Sequence, residues 1–536
     1  MRLRLFAAVV LFVPALAAGQ DRQPADALGT VRFETSCAAA AQPLFARGVA
    51  QLHSFVFGGA VESFNQALKA DQTCAMAYWG LALSAWGNPF AAGLKPEAAL
   101  QRGLDAIQRA RKAGAKIDRE RDFIGAAAAL FDDFRTRDQR ARLLAYRDAM
   151  AAVAAKYPQD VEASIFYALS LAISADPNDK TYESLLKAGA ILEELANRQP
   201  DHPGLAHYII HSYDVPSLAS RALHAAHSYA TIAPGASHAL HMPSHTFTRV
   251  GDWEESIKTN MASADAARRE ASVAEELHAI DYMTYAYLQT GQDRAAQALL
   301  ASLPEVGKRF DPTATGAAAP PAAGFFALAA VPARYALERG AWKDAMRLEV
   351  RPTAFPFTDA MTYFARALGA ARAGDAPAGR PAIAELERLR DQLTQAKETY
   401  WAAQVEIQRR GAAAWLAFTE GRRDEALAEM RATADMEDAT EKNAITPGPL
   451  APARELLGEM LLSMNRAADA VEEFERTLMK EPNRFRALAG AARAAQVSGD
   501  RATARAHYAQ LLKVAAAADR PGRNELALAR QAAAAR

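Results

Sequence analysis

"LGEMLLSMNRAADAVEEFERTLMKEPN", residues 457–483, carries Leu457 and Gly458, then Ala470 and Phe474, and ends at Pro482. Apolar residues at helical spacing, closed by a proline, read as helix and not as strand. The stretch that follows, "AARAAQVSGDRATARAHYAQLL" (491–512), keeps the register, because Ala504 and Tyr508 lie 34 residues after Ala470 and Phe474. Two units in phase make a period. A period of that length marks a stacked array in which each unit buries its apolar face against its neighbours.

The unit resembles the tetratricopeptide repeat, with small residues where helices touch and a proline before the next unit. The resemblance implies an all-α fold, a right-handed superhelical solenoid of antiparallel helix pairs. Weaker copies lie upstream: "FVFGGAVESFNQALKADQ" with Ala60, Phe64 and Ala67, and amphipathic helices that follow Gly251, Gly340 and Gly421. Helix pairs are therefore expected over nearly the whole mature chain. Two stretches break the rhythm. "DPTATGAAAPPAAG" (311–324) reads as a connector or a surface loop, and "EKNAITPGPLAPARE" (441–455) holds Pro447, Pro449 and Pro452, which forbid a continuous helix. The second is either a loop on the binding face or a plain spacer. The expected organisation is a signal peptide (1–19), an N-terminal array with a histidine-rich centre (20–310), the connector (311–324) and a C-terminal array (325–536).

Bulk composition narrows the function. The chain has 536 residues, with 62 Lys plus Arg against 62 Asp plus Glu, so it lacks the broad positive field of a nucleic-acid binder. "MRLRLFAAVVLFVPALAAGQD" has a basic start, a short apolar stretch and the cleavage-type Ala15-Leu16-Ala17, which predicts a secretory signal. No other segment is long and apolar enough to cross a bilayer, so the mature protein is expected in the periplasm or secreted, without membrane insertion. The only cysteines, Cys37 and Cys74, lie 37 apart, close to one repeat. An oxidising compartment invites a disulfide between them, with two buried free thiols as the alternative.

Eight of the 11 histidines fall between His202 and His245. "GLAHYIIHSYD" (204–214) and "ALHMPSHTFTR" (239–249) pair His207 with His241 and His211 with His245 at the same offset of 34. In tetratricopeptide arrays the positions these residues take, fifth and ninth of the first helix, face the concave groove; that is what the resemblance implies. Residues four apart share a helix face, with Cβ atoms about 5–6 Å apart. Neighbouring first helices then bring four imidazoles together, a donor set suited to Zn, Cu, Fe or Ni. Asp214, one turn past His211, would ligate or orient an imidazole. The next helix offers His278 and Asp281 as further ligands, and His238 is a spare ligand or groove donor. Pro243 sits between His241 and His245, where it would kink the helix or mark its first turn. The alternative is a polar and aromatic groove wall that binds no metal.

Trp79, in "AMAYWGLALSAWGNPF", and Tyr285 are candidate groove-lining residues, with core packing as the other reading for the tryptophan. The chain has no glycine-rich phosphate loop, no Gly-x-Ser-x-Gly elbow and no His-Glu-x-x-His helix. Across most of its length it is similar to a group of exported bacterial tetratricopeptide-repeat proteins. The shared features are "SC" at 36–37, "LHSF" at 52–55, "CAMAYWG" at 74–80, "HYIIHSYD", "HMPSHTFTRVGDW" and "TPGPLAPARELLGEML". The resemblance implies no particular reaction. Histidine stands at the groove positions where other arrays clamp a peptide carboxylate with lysine and asparagine, which argues against a chaperone-tail ligand. The leading expectation is a solenoid that binds a protein partner or ligand in its groove, with the histidine patch holding a divalent transition metal. A metal-dependent enzyme with Asp214 or Asp281 as base is the second, and a plain peptide scaffold without cofactor the third.

Overall fold

The computed structural model describes residues 27–534 apart from Ala92; the signal expected over 1–19 lies outside them. Every regular element among the described residues is a helix. The 457–483 repeat unit forms the helices Ala453–Ser463 and Ala467–Lys480, and the next unit forms Phe485–Ser498 and Arg501–Val514. Successive helices pack as hairpins, and the first helix of one unit also touches the first helix of the next, as Gln42–His53 does with Ala75–Trp86. This is tetratricopeptide-type packing.

Glycine at the helix contacts has a steric cause. A methyl group on Gly490 would sit 2.4 Å from the Phe474 ring, and one on Gly458 3.0 Å from the same ring. Phe474 is thus wedged between the first helices of two consecutive units. Phe64 repeats the arrangement between Gly48 and Gly80, at 2.7 and 2.3 Å. Alanine normally favours a helix over glycine by about 1 kcal/mol. At Gly490 overpacking outweighs that gain, so Gly490→Ala is expected to lower stability by about 1–3 kcal/mol in urea unfolding. Gly125, where a methyl group would meet nothing within 4 Å, serves as the control, and Gly125→Ala is expected to be neutral or stabilising.

One apolar cluster runs from Leu28 to Phe247, a second from Ala264 to Val331 and a third from Phe326 to Ala494. Cys37 and Cys74 are joined, with sulfurs 2.04 Å apart. No helix among the described residues is long and apolar enough to cross a membrane.

Both breaks in the repeat rhythm fold inward. The 311–324 segment docks on N-terminal helices: Gly58 N donates to Gly316 O at 2.9 Å, Asn88 Nδ2 to Ala318 O at 3.1 Å, and Ala319 N to Glu275 Oε1 at 2.7 Å. The 441–452 segment is gripped by side chains of several helices. Tyr282 Oη donates to the carbonyls of Ala444 and Thr446 at 3.1 and 3.2 Å, and the Tyr400 hydroxyl accepts from Asn443 N at 2.8 Å. Arg334 donates to Thr446 Oγ1 at 2.8 Å and to the Gly448 carbonyl at 2.9 Å. The chain's own segment thus occupies the middle of the interior face.

Candidate metal centre

Three helical pieces bring the histidines together: Pro203–Ser212, the Ser237–His241 and Pro243–Val250 pair, and Val273–Gln289. Pro203 and Pro243 each stand in the first turn of their helix. Pro243 does not turn the chain aside. Met242 keeps right-handed helical angles (φ −52°, ψ −37°), and Pro243 occupies the first turn of the next piece, where its missing N–H costs least. His241 and His245 therefore stay on one face, with their Nε2 atoms 3.1 Å apart.

The other ring nitrogens of that pair are already engaged. His245 Nδ1 donates to Asp214 Oδ2 at 3.0 Å, and His241 Nδ1 donates to Asn260 Oδ1 at 2.7 Å. Asn260 Nδ2 donates to the Ser256 carbonyl at 2.7 Å, which fixes which end of the amide faces the imidazole. Both Nε2 atoms therefore carry lone pairs, on rings nearly perpendicular to each other. Burial pushes His241 well below the usual imidazole range and His245 down to about 4, so neither takes a proton at neutral pH. Two lone pairs at that distance repel unless a cation bonded to both lies to one side of the line that joins them.

His278 completes the group. Its ring centre is 4.4 Å from that of His241, and burial pushes its pKa down to about 3. One donor atom from each of His241, His245 and His278 lies within 4.8 Å of the other two. Imidazole nitrogens sit about 2.0–2.1 Å from a bound transition metal, hence about 3.3 Å from one another in a tetrahedral set. The His241–His245 pair already has that spacing.

The four-histidine patch expected from the period divides. His207 and His211 meet His238, with ring centres 5.1 Å apart for His207 and His238, while His241 and His245 turn to His278. The two groups stay close, with the His211 and His245 ring centres 6.0 Å apart and those of His238 and His241 6.2 Å.

Asp214 is an orienting group. It accepts from His245, from Arg249 Nε at 2.8 Å, and lies 3.3 Å from Lys442 Nζ. Burial alone would raise its carboxyl, but Lys442, Arg249 and His245 outweigh that and hold it well below the carboxylate range. A carboxylate so strongly held is a poor base, against the expectation that it acts as one. Asp281 is outside the cluster: its carboxylate pairs with Arg334 at 2.8 Å, since both face the 446–449 segment and neither reaches an imidazole.

Two groove expectations need correction. Trp79 lies in the core, edge-on to Phe33 at 5.6 Å and Phe166 at 5.2 Å, because the non-helical lead-in carrying Phe33 covers that face. Tyr285 is fully buried and donates to Glu481 Oε2 at 3.1 Å, beneath the 441–452 segment. His224 and His227 are exposed and join no cluster.

No protein-family model matches the chain, and no curated protein matches it. Solved structures of tetratricopeptide type are similar to it. The Cut9–Hcn1 hetero-tetramer of the APC/C is 11% identical with a TM-score of 0.35, over 94% of this chain and 77% of that one. Yeast Tom70 is 11% identical with a TM-score of 0.26, over 92% and 96%. The human IFIT1 dimer with PPP-AAAA is 13% identical with a TM-score of 0.36, over 90% and 96%. At these values none of them bears on the site.

A second polar group, built around Glu162, lies beside the cluster. Glu162 accepts from His53 Nε2 and His202 Nε2, both at 3.0 Å, and His53 Nδ1 lies 3.1 Å from the Tyr208 hydroxyl. The "LHSF" motif was the only signal, and only the curvature of the array shows where it leads. Burial works against the Glu162 charge, but the two imidazoles outweigh it and hold the carboxyl at about 2. A carboxylate lowered in the fold stabilises above its ordinary value near 4.3, and that contribution disappears as pH falls towards 2. Glu162→Gln, which cannot accept from both rings equally, is expected to cost about 1–3 kcal/mol at pH 7. Urea midpoints at pH 7 and pH 3 should show the gap from wild type narrowing in acid.

Proposed function

We propose that this chain is an exported tetratricopeptide-type solenoid that holds a transition-metal ion in its interior at His241, His245 and His278. The observation that carries this reading is the His241–His245 pair, with each Nδ1 committed to an acceptor and the two Nε2 atoms 3.1 Å apart, the Tyr282 hydroxyl lying 3.5 Å from that of His245. The Asp214–His245 contact is the carboxylate–histidine arrangement that orients a ligand and raises its basicity. Three imidazoles suit Zn, Cu, Ni or Fe and leave a further coordination position. The basic and apolar N-terminus and the Cys37–Cys74 bridge support export to an oxidising compartment.

An extended peptide in the central groove is disfavoured, because residues 441–452 already engage Tyr282, Arg334 and Tyr400 there. A protein partner would use the remaining surface of the array. A metal-dependent enzyme is the second reading, favoured by a cavity of about 380 Å³ that His245 and His278 help to line. Untagged protein recovered from a bacterial periplasm and desalted should carry stoichiometric metal by elemental analysis. Absence of metal as purified, and after incubation with Zn, Cu, Fe and Ni salts, would sink both metal readings.

A further inference from the structure

His207, His211 and His238 form a second triad, also with one donor atom from each within 4.8 Å of the others. Each of its three rings has a buried nitrogen without a hydrogen-bond partner. His207 Nε2, His211 Nε2 and both ring nitrogens of His238 are buried without a hydrogen-bond partner, and His238 Nδ1 is 3.9 Å from Glu275 Oε2, beyond hydrogen-bond reach. Buried polar atoms left in that state are costly, and three histidines sharing one such pocket need a common explanation. His207 Nδ1 donates to the His53 carbonyl at 2.6 Å, so Nε2 is the ring nitrogen left without a partner. His53 is itself fixed by Glu162, which gives that buried network a purpose as a support for the ligand ring.

The second triad borders the first. Ring centres of His211 and His245 are 6.0 Å apart, and those of His238 and His241 6.2 Å. Each triad contributes two rings to the wall of the same cavity of about 380 Å³, His211 and His238 from one and His245 and His278 from the other.

We propose that the second triad is a metal site of its own, so that the six histidines hold two transition-metal ions side by side, both opening on one cavity. The inference rests on the first triad being a metal site. Neither triad contains a thiolate or a carboxylate, and uncharged nitrogen donors select copper or zinc over magnesium, calcium or manganese. Three protein ligands leave each ion a position free, and the shared cavity lets one small molecule reach both.

The test uses the full-length untagged protein, stripped with chelator and titrated with Cu(II) or Zn(II), with bound metal counted after desalting. Two ions per chain are expected in the wild type and one in each of His238→Gln and His278→Gln, with helical circular dichroism unchanged. The copper form should also lose electron paramagnetic resonance intensity per ion between the first and second equivalent, because adjacent Cu(II) spins couple. One ion in the wild type, removed by His278→Gln and kept by His238→Gln, would overturn the second site and leave the first. Two ions at full, uncoupled signal intensity would overturn the pairing. No ion at all would overturn both sites. The wild-type count and spectrum decide the matter even where a variant fails to fold.

Discussion

Replacing His245 with alanine is expected to weaken zinc binding by more than about a hundredfold. Loss of an outer partner of a metal-bound histidine typically costs about 10–100-fold, and in the proposed site His245 would be a ligand as well as the ring that Asp214 orients. Asp214→Asn should fall within that lower range, giving a graded series in which the two substitutions differ by their distance from the ion. Thermal unfolding reads the same effect through linkage. Zinc at about a hundred times the dissociation constant of the His241, His245 and His278 site should stabilise the wild type through that site by about 2.7 kcal/mol, and His245→Ala should lose this part of the shift and keep only the part due to the second triad. Equal zinc-dependent shifts in the two proteins would show that the ion binds elsewhere.

Arg334→Met is expected to be the most destabilising single change outside the cluster. Arg334 is fully buried, pairs with Asp281 at 2.8 Å, and donates to Thr446 Oγ1 and the Gly448 carbonyl. Removing it strands a buried carboxylate and frees the 446–449 segment. Breaking a buried pair from one side costs about 3–5 kcal/mol. The sign with pH is fixed by Asp281, whose carboxyl burial already raises, with Arg334 opposing. Without the guanidinium it rises further, so the folded variant binds more protons than its unfolded chain, and its stability drops as pH climbs above about 4. Urea unfolding should therefore show a larger deficit at pH 7 than at pH 4. A deficit that grew in acid would mean that Asp281 is not the group left exposed.

The fold was legible because its cause is local. Phe474 between Gly458 and Gly490 is a wedge written into one short stretch, and the same wedge at Phe64 lies far upstream in the same form. The histidines were legible for a related reason: an offset equal to the repeat puts matching residues on neighbouring helices. What the period could not give was their partition. A helix between two others has two edges, and the choice of His238 for one neighbour and His241 for the other depends on helix rotation, which a spacing does not contain. The same limit hid His53, which reaches the cluster only through curvature of the array.

The irregular segments were the least legible. Pro447, Pro449 and Pro452 show that no helix continues there, yet the destination of 441–452 is set by Asp214, Tyr282, Arg334 and Tyr400, distant in sequence and scattered over three helices and a loop. Trp79 failed as a groove residue because the lead-in carrying Phe33 covers it, and nothing in the repeat pattern announces that segment.

The most direct measurement is anomalous diffraction at the metal absorption edge, from crystals of the untagged protein loaded with zinc or copper. Anomalous density is expected within coordination distance of His241, His245 and His278, with a neighbouring peak at His207, His211 and His238. Well-ordered imidazoles with no anomalous density among them would contradict a metal centre in this fold.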